Sequence, residues 1–165
     1  MAMSNAEMLA FTRELPIPVP WRRDVFIANI AKMRQRPIRL VPTDTSALDE
    51  SPCGLWIASD EEDVIMHEAG TSDYHIDQIV CHEIGHILLG HGRGHGGEHE
   101  VGKFDTLDQI LPDIDPAMVR SILGRSDFYV DQERDAEMFA SMVMIVVAEG
   151  AGAKSVLRSV FLNRQ

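Results

Sequence analysis

Residues 76–89 read I-D-Q-I-V-C-H-E-I-G-H-I-L-L. Their apolar residues follow one another at steps of three, four and one, which is the spacing of one face of an α-helix. Thr71, Ser72 and Asp73 precede the stretch and are residue types that can begin a helix, whereas Gly90 follows it and is the residue type that often ends one. The pattern predicts a helix that starts near Asp73 and runs to about residue 89.

Two histidines of this predicted helix stand four positions apart. Such residues share one helix face, one turn apart, so His82 and His86 can both direct a ring nitrogen at a single zinc ion. Glu83 is rotated by about 100° from His82. That rotation places its carboxylate beside the metal, where it could take a proton from metal-bound water. The pattern predicts a zinc site with Glu83 as the catalytic base; the alternative is a helix that carries two histidines without a metal.

A catalytic zinc ion normally takes three protein ligands and one water, so a third ligand is required. A histidine six residues after His86 would be one solution, but that position is Gly92. A glutamate on a later helix is another, and residues 131–140 read D-Q-E-R-D-A-E-M-F-A. Glu133 and Glu137 share one predicted face, where one could bind zinc and the other could accept a hydrogen bond from a ligand histidine. The alternative is a solvated acidic first turn.

The two motifs together resemble those of the ImmA/IrrE family of small zinc metallopeptidases. H-E-I-G-H-I-L-L-G-H at 82–91 is similar to the first family motif, and E-R-D-A-E-M-F-A at 133–140 is similar to the second, E-x-x-A-(N/D)-x-F-A. The resemblance covers roughly residues 22–149. It implies a zincin-like fold, Glu133 as the third zinc ligand, and an endopeptidase that cuts a helix-turn-helix repressor in transcriptional or stress regulation. Glu137 stands where the family has Asn or Asp, which makes it a rival zinc ligand.

Three further side chains are candidates for contact with a substrate. His91 and His95 belong to the glycine-rich stretch 90–103, which is expected to form a flexible loop. Either histidine could act from a lid, stabilising an oxyanion or touching the metal; the alternative is a mobile polar loop. Tyr129 precedes Glu133 by four residues and could donate a hydrogen bond to an oxyanion; the alternative is a half-buried aromatic residue.

The amino-acid composition also limits the possible functions. The chain has 165 residues and is expected to form a single domain, 1–165. Its 26 acidic and 15 basic side chains give a formal charge of −11, and nucleic-acid-binding domains usually carry a basic surface, so no direct binding to DNA or RNA is expected. Neither a signal peptide nor a membrane-spanning apolar run is found, and two cysteines are too few for a disulfide framework. The protein is therefore expected in the cytoplasm.

The other patterns predict an α+β fold with about three strands in a small sheet and about five helices. Residues 1–20 are expected to be an extended N-terminal segment, because prolines recur at its end. Further helices are predicted at 21–34, 116–123, 131–149 and 153–162, and strands at 38–41, 54–58 and 64–68. The last two strands would form a hairpin, and an extended substrate is expected to pair with one of them.

Two functions fit these observations. The first is a zinc-dependent endopeptidase in which Glu83 is the catalytic base. The second is a regulatory binding module, such as a toxin–antitoxin partner, that keeps the zinc site with weak or no proteolysis, because an intact motif does not prove turnover.

Overall fold

The computed structural model describes residues 2–44, 54–92, 111–124 and 127–162, with side chains described as far as residue 152. The fold is α+β, as predicted, with four strands and four α-helices in the described residues. In chain order the elements are α1 (Asn5–Arg13), α2 (Arg23–Arg34), β1 (Ile38–Thr43), β2 (Gly54–Ser59), β3 (Asp63–Glu68), α3 (Asp73–Leu89), β4 (Val119–Leu123) and α4 (Val130–Leu162). A short 3₁₀ helix, Pro116–Met118, leads into β4.

The four strands form one mixed sheet in the order β1–β3–β2–β4. β2 and β3 pair antiparallel, which confirms the predicted hairpin, with Trp56 opposite Ile65. β1 runs parallel to β3, and β4 runs antiparallel to β2. β2 and β3 are therefore the inner strands, each paired on both sides. The expectation that a substrate adds to one of these two strands as to a sheet edge is wrong.

The N-terminal segment is not extended throughout, because residues Asn5–Arg13 form α1. The side chain of Ser4 accepts a hydrogen bond from the backbone amide of Glu7, and the Glu7 carboxylate accepts one from the amide of Ser4. This reciprocal capping satisfies two amides that the first turn of a helix would otherwise leave without a partner. The prolines near residues 16–20 say nothing about the chain that precedes them, which is why the expectation failed.

Two other helix predictions are wrong. Val119–Leu123 is a strand, because its apolar residues gain burial and backbone hydrogen bonds beside β2, which a five-residue pattern cannot reveal. α4 continues through the two glycines that were expected to end it, so 153–162 is its last part. A Cβ on Gly150 would lie 2.9 Å from a methyl of Val19, so glycine lets the helix pass close to that residue. Within the described residues, no helix is long and apolar enough to cross a bilayer.

α3 and α4 pack against each other and so bring the two sequence motifs together. Gly85 of α3 lies at the contact: a Cβ there would be 3.0 Å from a ring carbon of Phe139 and 3.3 Å from the Cα of Ala136. Phe139 and Ala136 are fully buried. The small size of Gly85 and Ala136 therefore sets the distance between the helices, and with it the distance between the residues that face each other across them.

The carboxylate of Asp63, at the start of β3, is a buried charge that joins α2 to the sheet. It is 1% exposed, and it accepts hydrogen bonds from Arg34 at 2.7 Å, from Arg36 at 2.9 Å and from the indole N–H of Trp56 at 2.9 Å. Removing one partner of a buried ion pair leaves the others desolvated without compensation. This carboxylate therefore helps to hold the end of α2 on the sheet.

Asp63→Ala is expected to lower the free energy of unfolding by about 3–5 kcal/mol, because two guanidinium groups and an indole N–H lose their common acceptor. Asp60→Ala is the matched control, since Asp60 pairs with Arg120 near the surface, where an ion pair contributes about 0–1 kcal/mol. Urea unfolding followed by circular dichroism measures both variants. Equal losses in the two would contradict the role given to Asp63.

Candidate metal centre

α3 holds three of the predicted site residues on a rigid element. The helix begins at Asp73, where the Ser72 side chain accepts a hydrogen bond from the amide of His75, and it ends at Leu89. Gly90 then takes a left-handed conformation with φ of 72°, as a glycine at a helix C-terminus commonly does. The predicted helix and both of its ends are confirmed.

The side chains of His82, His86 and Glu133 converge between α3 and α4. Nε2 of His86 lies 3.0 Å from Nε2 of His82 and 3.1 Å from Oε1 of Glu133, while Nε2 of His82 lies 3.5 Å from Oε2 of Glu133. Two ligands that are about 2.0–2.1 Å from a tetrahedral zinc ion lie roughly 3.3–3.4 Å apart. The three side chains are thus spaced as the ligands of one metal ion, and together they form a possible metal-binding triad.

Glu133, rather than Glu137, is the glutamate that faces the two histidines. Glu137 lies one turn further along α4, where it is exposed and lines the open cleft beside the triad. Both residues belong to the same helix face, so sequence spacing leaves them equivalent. The packing of α4 on α3 decides between them, because it brings the earlier turn closest to the histidines.

The charge states of the triad suit metal binding. Burial opposes the charged form of Glu133, but hydrogen bonds with His82 and His86 outweigh it and hold the pKa of Glu133 at about 2. Burial lowers the pKa of His86 to about 4. Burial also disfavours charged His82, yet the contact with Glu133 and the charge of Glu83 outweigh it, so the pKa of His82 is raised. At neutral pH Glu133 is therefore an anion and His86 a neutral ring, as metal ligands must be.

Glu83 lies beside the triad and is 4% exposed. Its Oε1 approaches the start of β2 so closely that a Cβ on Gly54 would lie 2.8 Å from it, so glycine leaves the space that the carboxylate occupies. Within the described residues, its Oε2 is buried and has no hydrogen-bond partner. Burial raises the pKa of Glu83 to about 7. A carboxyl group with that pKa can both accept and return a proton at neutral pH.

His91 does not belong to a lid, contrary to one expectation from the sequence. It is 8% exposed, and its Nδ1 lies 2.9 Å from Nδ1 of His86, on the side of that ring away from the triad. The left-handed Gly90 turns the chain back, and the amide of His91 then bonds the carbonyl of His86 at 3.0 Å. His91 therefore contacts a candidate ligand from behind, which is the role that the sequence analysis offered to Glu137.

The remaining candidates are placed differently. Tyr129 is 68% exposed and lies outside the lining of the cleft, so its position does not support contact with an oxyanion. His95 lies outside the described residues. Phe128, which the sequence analysis did not single out, stacks on the ring of His86 with centroids 3.6 Å apart and planes 14° from parallel. In the sequence, only its closeness to Glu133 could have indicated that Phe128 belongs to the site.

Comparison with protein-family models, curated proteins and solved structures gives no match for this chain. The resemblance to the ImmA/IrrE family therefore rests on the two sequence motifs.

Measurements of zinc affinity can tell whether Glu133 or Glu137 is the zinc ligand. Glu133→Ala is expected to lower the affinity by at least about 100-fold, more than the loss of an outer-shell partner usually costs. Glu137→Ala, the matched control one turn away, is expected to lower it by less than about tenfold. Competition with a chromophoric chelator measures both values. A larger loss in Glu137→Ala would reverse the ligand assignment.

Zinc binding is expected to release protons and so to weaken as the pH falls. The pKa of His82 is raised above its ordinary value of 6.5, so zinc must displace its proton near neutrality, whereas His86 and Glu133 are already deprotonated there. Glu83, with a pKa of about 7, gives up a further proton when a cation binds beside it.

Calorimetric titrations near pH 6.5 in buffers of different ionisation enthalpy count these protons. Wild-type protein is expected to release between about one and two, and Glu83→Gln about one at most. An equal number of released protons in the two proteins would mean that Glu83 does not lose a proton when zinc binds.

Proposed function

We propose that this protein is a zinc-dependent endopeptidase with Glu83 as its catalytic base. The observation that carries the proposal is the convergence of two histidines and a glutamate at ligand spacing, with a second, buried glutamate beside them. His82, His86 and Glu133 would hold the ion. Two nitrogen ligands and one carboxylate are a donor set of catalytic zinc sites in hydrolases.

Each residue of the site has a defined task in peptide hydrolysis. When bound, a zinc ion supplies a Lewis acid that polarises the carbonyl group and makes a nearby water more acidic. Glu83 accepts a proton as the water oxygen adds to the carbonyl carbon, and returns it to the nitrogen as the C–N bond breaks. The pKa of Glu83 near 7 suits both transfers, and in the described part of the chain its buried Oε2 has no other hydrogen-bond partner.

The surroundings of the triad are consistent with a polymeric substrate. An open cleft of about 320 Å³ reaches the triad, and its walls come from α3, from α4 and from Gly54 of β2. Polar side chains line much of it, among them Gln78, Glu137 and Ser141. Because the cleft is open, a segment of polypeptide could enter it from the side.

The identity of the substrate is proposed from the resemblance to the ImmA/IrrE family. It points to a cytoplasmic protein of zincin-like fold whose substrate is a helix-turn-helix repressor. The competing function is a binding module that keeps the metal without proteolysis. It gives no role to the buried Glu83. A structural zinc site does not need a buried carboxyl group with a raised pKa beside it, one of whose oxygens has no partner among the described residues, and burying such a group is costly.

Glu83→Gln is expected to keep its zinc and to lose at least about 100-fold in cleavage rate, because the amide cannot accept a proton. The zinc-loaded protein is incubated with a helix-turn-helix protein encoded beside it and, separately, with an unbiased peptide library. Mass spectrometry then identifies fragments. Glu61→Gln is the control, since Glu61 is an exposed glutamate in the turn between β2 and β3.

Undiminished cleavage by Glu83→Gln would exclude Glu83 as the base. A wild-type protein that binds zinc but cuts neither the repressor nor any library peptide would favour the binding module instead.

A further inference from the structure

We infer that His91 and His86 form a buried two-histidine relay behind the metal site, in which His91 fixes the ring of His86 and is a positioning residue for that metal ligand. The inference rests on the proposed zinc site. It concerns which nitrogen of His86 carries a hydrogen and what holds that ring in place.

The contact between the two histidines determines the hydrogen on each ring. Nε2 of His86 faces the triad, and its Nδ1 lies 2.9 Å from Nδ1 of His91. One hydrogen lies between these two atoms. A ligand histidine must offer a lone pair to the metal, so His86 carries its hydrogen on Nδ1 and donates it to His91. A neutral His91 then carries its own hydrogen on Nε2.

The chain around His91 leaves its ring little freedom. On one side Gly90 is left-handed, and the amide of His91 is bonded to the carbonyl of His86. On the other side Gly92 lies against Trp56, where a Cβ would be 2.6 Å from the indole ring. Both neighbours are glycines at positions that other residues would strain or obstruct. The backbone that carries the ring of His91 is therefore held in place before any metal binds.

The relay and Phe128 restrict the ring of His86 in different ways. Phe128 stacks on His86 and restricts the tilt of its plane. The contact with His91 selects the nitrogen that faces the triad. In the other tautomer, His86 would direct an N–H at the ion and could not bind it.

Zinc affinity of three variants tests the relay. His91→Leu removes the acceptor and is expected to weaken zinc binding about 10–100-fold, whereas His91→Asn, whose side-chain oxygen can replace Nδ1, is expected to recover most of the loss. His67→Leu is the control, because His67 is similarly buried but lies in β3 outside the triad. It should lower the melting temperature and leave zinc affinity unchanged.

Nitrogen-15 NMR of the histidine rings shows which ring nitrogen carries the hydrogen. Packing of His91 alone would not determine that result. In zinc-loaded wild-type protein, His86 is expected to be protonated on Nδ1 and His91 on Nε2. The opposite protonation at either ring would overturn the relay. This measurement uses wild-type protein, so it decides the matter even where His91→Leu does not fold.

The outcomes separate the relay from the proposed function. Unchanged zinc affinity in His91→Leu overturns the relay and leaves the peptidase proposal intact. A wild-type protein that takes up no zinc overturns both. A wild-type protein that binds zinc through the predicted tautomers but cuts nothing overturns only the peptidase.

Discussion

The contact between α3 and α4 at Gly85 is the constraint on which the metal centre depends. A ring carbon of Phe139 and the backbone of Ala136 lie within 3.0–3.3 Å of where a Cβ would be, so the helices are as close as a glycine permits. Across the same interface Glu133 lies 3.1 Å from His86. A larger side chain at Gly85 would move α4 outwards and take the glutamate away from the histidines. Packing thus sets the spacing of the ligands.

The charges of the site are consistent with a cation between the two helices. Glu83 and Glu133 are carboxylates in a largely buried space, and the facing nitrogens of His82 and His86 are 3.0 Å apart. Such an arrangement is costly by itself, because buried charges and crowded lone pairs lose the solvation they have in the unfolded chain. A bound divalent ion would offset that cost, so metal binding and folding are expected to be coupled here. His91 lies behind the ligand His86, with their Nδ1 atoms 2.9 Å apart.

Local patterns in the sequence predicted those helices and strands whose own residues indicate the element. The apolar period and the two capping residues predicted α3 and placed His82, Glu83 and His86 on it, and two short, mainly apolar runs predicted the hairpin of β2 and β3. Other features depend on contacts far apart in the chain. Glu133 and Glu137 share a helix face, and only the packing of α4 separates them. The position of His91 depends on the left-handed turn at Gly90, which spacing does not encode, and β4 became a strand only because β2 lies beside it.

The central claim is that two histidines of one helix and a carboxylate of another bind a single zinc ion. X-ray absorption at the zinc K edge, on protein loaded with one equivalent of zinc, tests it most directly. The account predicts a first shell of only nitrogen and oxygen atoms at about 2.0–2.1 Å, with the outer-shell scattering of two imidazole rings. A shell that contains sulfur at about 2.3 Å, or one without imidazole scattering, would contradict it.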